Sequence, residues 1–420
     1  MSAAPLDQPP SAEALGRLLA QAKSRFSAAE AAALAKGAAA APPGEDPSAW
    51  IRLIAANPSP ELAAALTRLK ESAAAAIAQG RAVPVAERLA RLRAELGRRG
   101  LAGFVVPRAD EHQGEYVPLR AERLAWISGF TGSAGLVIVL KDRAAIFVDG
   151  RYTVQVRAEA DPTLFEYRHL IEEPPTDWLA ANLKPGDRLG YDPWLHTPDH
   201  VKALARGAEK AGASLMACAP SPLDQVWGEQ PPHPLAPVVP HDERHAGRAS
   251  AEKRREVGSA VAKAGADAAV LTQPDSIAWL LNIRGADVPH TPLPLSFAIL
   301  EADGRAKLFI DPRKLAPETR AHLGNEVAIE TPDALGPALD ALGVAGAKVL
   351  ADPTSAAAWV FDRLAAGKAR IVPADDPVQL IKACKNEVEV EGARKAHRRD
   401  GASLTRFLAW IAREAPRGGL

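Results

Sequence analysis

The feature that most constrains this fold is internal repetition: one order of helix and strand signals occurs twice between residues 85 and 351. In the first copy, Glu87–Arg99 places Leu89, Leu92 and Leu96 on one helical face, and Gly100 ends it. Apolar runs at Ala102–Val106, Leu136–Leu140, Ala144–Val148 and Arg188–Tyr191 come next as predicted strands. The second copy repeats this with a helix over Ala251–Ala264 and strands at Ala268–Thr272, Leu295–Leu300, Ala306–Ile310 and Lys348–Ala351. Local strings match in the same order. Ala125-Trp126-Ile127 and Gly132 match Ala278-Trp279-Leu280 and Gly285; Phe147-Val148-Asp149 and Arg151 match Phe309-Ile310-Asp311 and Arg313; Asp192-Pro193 matches Asp352-Pro353. The spacing between partners changes along the chain, which points to an insertion in the second copy at the Pro-rich Val288–Pro294. Two copies are too few for a solenoid, so the expectation is two sibling α/β domains. Pro231–Pro240, with five prolines in ten residues, reads as a stiff linker between them.

The flanks differ. Residues 1–83 are Ala-rich, with helical runs at Ala12–Lys36, Pro47–Ala56 and Pro60–Gln79, broken at Ala41-Pro42-Pro43-Gly44 and Asn57-Pro58. Leu62, Leu66 and Leu69 recur at helical spacing, and the segment reads as a helical appendage or loosely ordered leader without chemistry. From Lys385 an amphipathic helix runs to about Glu414, with Leu404, Phe407, Leu408 and Ile411 on its apolar face. The expected organisation is a helical extension (1–83), α/β domain I (84–222), α/β domain II (223–384) and a final helix (385–420).

Charge and cysteine content exclude several function classes. Lys plus Arg and Asp plus Glu are 51 each, which leaves no net field to attract nucleic acid or an anionic membrane. Two cysteines, Cys218 and Cys384, cannot frame a chain this long and fit a reducing compartment. No run approaches the roughly 18 apolar residues of a membrane span, and Met1–Ala14 shows no basic-then-apolar leader. The expectation is a cytoplasmic protein.

Few segments suggest chemistry. Gly129-Phe130-Thr131-Gly132-Ser133-Ala134-Gly135 lacks phosphate-loop spacing and precedes a strand, so it reads as a tight turn. His196 with His200 and His241 with His245 have i, i+4 spacing but lie in Pro-rich surroundings and read as solvated loop histidines. Glu387, Glu391 and Arg394 share a helical face, which explains the charged run up to His397 and Asp400 without a metal. Trp126 and Trp279 hold equivalent places, which favours packing. Arg151 and Tyr152 come after a strand at a surface turn.

Longer strings carry a resemblance. Val106-Pro107-Arg108-Ala109-Asp110-Glu111-His112-Gln113-Gly114-Glu115-Tyr116-Val117, Phe130-Thr131-Gly132-Ser133-Ala134-Gly135 and Phe147-Val148-Asp149-Gly150-Arg151-Tyr152 resemble the first domain of three-domain aminopeptidase P. Pro274-Asp275-Ser276-Ile277-Ala278-Trp279-Leu280-Leu281-Asn282-Ile283-Arg284-Gly285 resembles its second domain, and Lys385-Asn386-Glu387 through Ala396-His397 the first helix of its third. The resemblance spans about 85–420 and omits 1–83. It implies creatinase-like N-terminal domains with mixed sheets of five or six strands. It also implies a parent reaction: removal of an N-terminal residue preceding proline, by a third "pita-bread" domain holding two manganese ions with two Asp, one His and two Glu. Beyond Lys385 this chain has one Asp, Asp400, so no metal or catalytic residue carries over. The chain is expected to be truncated before those ligands, to bind no metal cofactor itself, and to be inactive alone. Trp126, Phe130, Arg151 and Tyr152 are the candidates for lining a substrate mouth. Implied partners are peptides with proline second, for the full-length enzyme, and a second copy in a homodimer. The contrasting reading is a non-catalytic binding or dimerisation module of the same fold.

Overall fold

Both halves of the chain turn their apolar runs into the central strands of six-stranded sheets with the same strand order. The computed structural model describes residues 9–41, 46–80 and 83–418. In the first domain the strands are β1 (Gly103–Pro107), β2 (Leu136–Leu140), β3 (Ala144–Val148), β4 (Glu166–His169), β5 (Arg188–Tyr191) and β6 (Ser214–Ala217). The order is β4-β3-β2-β1-β5-β6. β2 pairs antiparallel with β1 and β3, whereas β4, β5 and β6 join in parallel. The next strands are β7 (Val239–Pro240), β8 (Ala268–Leu271), β9 (Ile283–Arg284), β10 (Phe297–Glu301), β11 (Ala306–Phe309), β12 (Val327–Glu330), β13 (Lys348–Ala351) and β14 (Arg370–Pro373). The second sheet runs β12-β11-β10-β8-β13-β14, and β7 with β9 forms a short antiparallel ribbon.

The central strands are buried on both faces because helices cover each side. Alternate residues divide between two cores. Phe104, Val106, Val137, Val139 and Ile146 pack against Leu89, Leu92 and Leu96 of the helix Val85–Arg98. Val105, Ile138, Ala145 and Phe147 face Leu179 and Leu204 on the other side. In the two six-stranded sheets the unexpected strands are β4, β6, β12 and β14, which lie at the edges. Their residues are mostly half-exposed or exposed, so their sequences carry polar residues where a buried strand would be apolar.

The two copies carry an insertion each. In the second, Asn282–Ser296 separates the Trp279 helix (Pro274–Leu281) from β10, a longer interval than Gly129–Gly135 in the first. In the first, Arg108–Glu122 separates β1 from the Trp126 helix (Arg123–Ser128), whereas Thr272 and Gln273 suffice in the second. The sequence pattern did not disclose that first insertion, and it joins the domains. His112 stacks on Phe297 at 4.3 Å, its Nδ1 lies 3.0 Å from the Thr272 carbonyl, and Gln273 donates to the His112 carbonyl at 2.9 Å. Nearby, Trp194 stacks on Trp359 at 3.9 Å, and the Trp359 N–H donates to Pro193 at 3.0 Å.

The N-terminal segment is a packed unit and not a loose leader. Its helices are Ala12–Gln21, Ala28–Ala40, Ala49–Ile54 and Pro60–Gly80. The expected single run over Ala12–Lys36 is split because Ser27 and Glu30 form a reciprocal capping box that starts a new helix. The expected break at 42–44 lies outside the described residues. Leu15, Leu19, Leu34, Trp50, Leu62 and Leu66 form its core, with one residue from the linker, Leu235. A Cβ at Gly37 would sit 2.4 Å from Leu235 Cγ, so the glycine is the notch that admits the leucine. The Leu235 N–H also donates to the Gly37 carbonyl at 3.2 Å.

Nor is the linker a free spacer. The Pro231 carbonyl accepts from Arg120, Ala236 N–H donates to Asp287, Val238 N–H donates to the Lys314 carbonyl at 2.9 Å, and His241 N–H donates to Asn282 at 2.7 Å. Leu235→Ala therefore opens a cavity where two units meet. We expect it to lower unfolding stability by about 2–5 kcal/mol, read as a lower urea midpoint; an unchanged midpoint would mean that the helical unit does not hold the linker.

Candidate functional site

Each strand–turn unit ends in an Asp whose carboxylate receives the Arg two residues later. Asp149 accepts from the Arg151 N–H at 2.9 Å and from Nη2 at 2.7 Å; Asp311 accepts from the Arg313 N–H at 3.0 Å and from Nη2 at 2.6 Å. The turn is therefore a feature of the fold, present in both copies. The residue after the Arg differs between them, and in the first copy it is Tyr152.

Tyr152 closes a compact surface corner built by the Gly-rich segment. Gly129, at φ +82°, ends the Trp126 helix, and Ser128 Oγ accepts from the Phe130 N–H at 3.2 Å. A Cβ at Gly132 would lie 2.2 Å from the Phe130 ring, so the chain can fold over that ring only with glycine there. Tyr152 meets Phe130 edge-to-face at 5.6 Å, its hydroxyl is 2.6 Å from Ser133 Oγ, and the Arg151 guanidinium lies over its ring at 5.1 Å. Thr131 is fastened at the same corner, donating to Glu159 from its N–H at 2.8 Å. The hydrogen bond with Ser133 lowers the Tyr152 pKa.

Three of the four sequence candidates thus come together, with Arg151 exposed, Tyr152 half-buried and Phe130 beneath them. Trp126 does not join them at the surface. It is 4% exposed, stacks on Trp227 at 5.1 Å, and carries the Arg88 guanidinium over its ring, while Arg88 donates to its carbonyl. The indole is covered by the end of the helix Pro222–Val226, so it packs and presents no face to a ligand. The second copy repeats the device with Lys253, whose Nζ lies 4.1 Å from the Trp279 ring and donates to the Trp279 carbonyl at 3.2 Å. Burial lowers the Lys253 pKa to about 8. Here the indole has a further partner: Trp279 Nε1 donates to Glu389 at 3.0 Å.

That bond docks the C-terminal helix, Glu387–Glu414. Asn386 and Glu389 form a capping box, Asn386 Nδ2 donates to the Ala246 carbonyl at 2.9 Å, and Gly247 lets the cap approach. No side chain of this helix is buried, and Leu404, Phe407, Leu408 and Trp410 are exposed along it.

A buried charge cluster lies behind the domain interface. Arg123 donates to both oxygens of Asp224 at 2.8 Å and to Glu111 at 3.0 Å. Burial would raise Glu111, but Arg123 outweighs it and holds the carboxyl at about 2. Asp192 is pushed up to about 7 by burial, opposed by the Trp194 N–H and Arg123. Asp110 accepts from the His112 and Gly114 N–H groups. His196 is not the solvated histidine expected from its surroundings: it is 1% exposed, edge-on to Tyr191, and burial lowers its pKa to about 3. His200, His241 and His245 are exposed or half-exposed.

These residues do not fit a dinuclear metal centre. Among the described residues no group of three or more His, Cys, Asp or Glu could hold a metal ion. In the consecutive Asp110, Glu111 and His112, Asp110 Oδ1 accepts two backbone N–H groups, Glu111 pairs with Arg123 and His112 Nδ1 meets the Thr272 carbonyl.

Both sheets match known domains. Residues 88–222 and 229–389 each match a family described as the creatinase/prolidase N-terminal domain. A probable Xaa-Pro aminopeptidase P of Penicillium rubens is 34% identical over 79% of this chain and 56% of its own length. One from Aspergillus clavatus is 35% identical over 79% of this chain and 52% of its own. The two sheets are creatinase/prolidase N-terminal domains, and the chain is a homologue of Xaa-Pro aminopeptidase P. The crystal structure of X-prolyl aminopeptidase from Caenorhabditis elegans, described as a cytosolic enzyme with a di-nuclear active site, superposes with a TM-score of 0.73 at 28% identity. That match covers 80% of this chain and 57% of the worm protein. The chain thus spans about half the length of the curated aminopeptidase P relatives it matches.

The buried cluster sets a pH dependence. A folded pKa raised from 3.8 to about 7 means that Asp192 contributes stability below about pH 4 and that this contribution is lost as pH rises through about 7. Asp192→Asn, which keeps an acceptor for Trp194, is expected to gain stability over the parent between pH 5 and 8, relative to their difference at pH 4. Parallel urea melts across that range check it, and a pH-independent difference would place the Asp192 pKa near its ordinary value.

Proposed function

We propose that these two domains are the non-catalytic part of a Xaa-Pro aminopeptidase, shaping access to a site that removes an N-terminal residue preceding proline. The family membership of both sheets is the observation that carries this reading. In such an enzyme two manganese ions would supply the activated water and polarise the scissile carbonyl. The described residues offer no ligand set for them, so the reading includes inactivity of this polypeptide by itself. Arg151, Tyr152 and the underlying Phe130 are the residues proposed to border the mouth. Their support is one polar, rigid corner at the end of β3, with the guanidinium already pre-positioned by Asp149. Peptides with proline at the second position are the proposed substrates of the whole enzyme, the cytoplasm its compartment and a homodimer its assembly. Among the described residues no helix is long and apolar enough to cross a membrane.

Incubation of the purified chain with Arg-Pro-Pro and manganese is expected to release no arginine and to leave no bound metal after repurification. Manganese-dependent release that survives repurification would overturn the reading.

The exposed Leu404, Phe407, Leu408 and Trp410 favour a second reading, a binding or self-association module. Removing 385–420 is expected to raise soluble yield and reduce self-association in light scattering. Unchanged yield and mass would show that this helix face is not adhesive.

A further inference from the structure

The N-terminal helices lie outside both family matches, and they form one wall of an open cleft of about 870 Å³ against the second α/β domain. The other wall is the β7–β9 ribbon and the loop after β9. Among the described residues the lining has more basic than acidic side chains. Arg52 and Lys70 come from the helical unit, and Arg284, His241, His245 and His290 from the domain. Asp46 is the one carboxylate among the described lining residues, and it is already taken by Arg52 at 2.5 Å and by Ser48.

Among the described residues, neither of the other two basic side chains, Lys70 and Arg284, is ion-paired. Lys70 makes no ion pair or hydrogen bond among the described residues. Arg284 spends Nη1 on the Ile283 carbonyl at 2.9 Å and the Ala278 carbonyl at 3.3 Å, and has no ion pair among the described residues. Burial lowers its pKa, and Glu389, which opposes that shift, is itself bonded to Trp279 and Asn386. The walls are fixed with respect to each other, since Leu235 seats in the Gly37 notch on one side and the next residue, Ala236, is bonded to Asp287 on the other. A fixed cleft within the roughly 300–1,000 Å³ span of small-molecule sites, with Lys70 and Arg284 unpaired among the described residues, is preorganised for a compact anion.

We propose that this cleft binds a small polyanion bearing two or more phosphate or carboxylate groups, with Lys70 and Arg284 engaging it from opposite walls. The site is independent of the peptidase reading, and one of its walls belongs to the part of the chain that the family matches leave out.

Calorimetric titration of the full chain with pyrophosphate and with citrate, at matched ionic strength and one neutral pH, tests this. Saturable one-site binding is expected with at least one probe, about tenfold weaker in Lys70→Gln and Arg284→Gln. Binding of pyrophosphate alone identifies a phosphate ligand, and of citrate alone a carboxylate one. Because Arg284 also holds main-chain carbonyls, Lys70→Gln decides the matter if the arginine variant folds poorly. Heat that tracks ionic strength without saturating, or affinity unchanged in Lys70→Gln, overturns the proposal.

Discussion

The placement of the N-terminal helical unit on the second domain depends on one buried carboxylate. Asp287 has no exposed surface, and its oxygens receive the Ala236 N–H at 3.3 Å, the Leu295 N–H at 2.7 Å and the Lys314 ammonium. Burial pushes its pKa up, while Lys314 and the two N–H groups pull it down. Such a pair adds little net stability over apolar packing, but losing one partner strands a charge at a cost of about 3–5 kcal/mol. Its value is positional. It fixes Ala236, and Leu235 immediately before it is the residue that plugs the helical unit. Lys314 also offers its carbonyl to Val238 two residues on, so the same pair of residues secures the linker twice. The orientation of the N-terminal helices, and of the cleft they border, derives from that anchorage.

Sequence reading succeeded where burial is two-sided. Leu136–Leu140, Ala144–Val148, Arg188–Tyr191 and Lys348–Ala351 appear with the expected bounds, because strands near the sheet centre carry apolar residues on both faces. It failed at the edges. Glu166–His169 and Arg370–Pro373 face solvent along one side, and Glu, Arg and His there look like loop. Burial that depends on distant partners was also illegible. Nothing around His196 in the chain indicates that Tyr191 and the second domain will cover it, and nothing in Glu111-His112-Gln113 shows that His112 reaches the second sheet while its neighbours tie back to Arg123 and Trp194.

Of the site, the corner was partly legible. Phe130, Arg151 and Tyr152 are neighbours in space as the motifs suggested, and Gly132 is glycine because the Phe130 ring occupies the space of a Cβ. Trp126 packs, as its repetition in both copies favoured, although the resemblance placed it among the mouth candidates. A pattern kept in two domains reports what the fold needs, here a basic residue on the first helix gripping the carbonyl of the Trp helix, Arg88 in one copy and Lys253 in the other.

Duplication therefore acts as an internal control, and the informative positions are those where one scaffold holds different side chains. The Asp–x–Arg turn is common, so its ion pair is structural; the residue after it is not common. In the first copy it is Tyr152, which reaches outward to Ser133 and stacks under Arg151. In the second it is Lys314, which turns inward to neutralise Asp287. Gly132 and Gly285 show the same divergence. Each is required by a close approach, but at Gly132 it is the segment's own Phe130 ring and at Gly285 it is Pro294 of the inserted loop, 2.7 Å from a notional Cβ. One copy has thus used this turn to build a surface corner, and the other to bury a junction that holds the linker. The division of labour comes down to which way a single side chain points after the same turn.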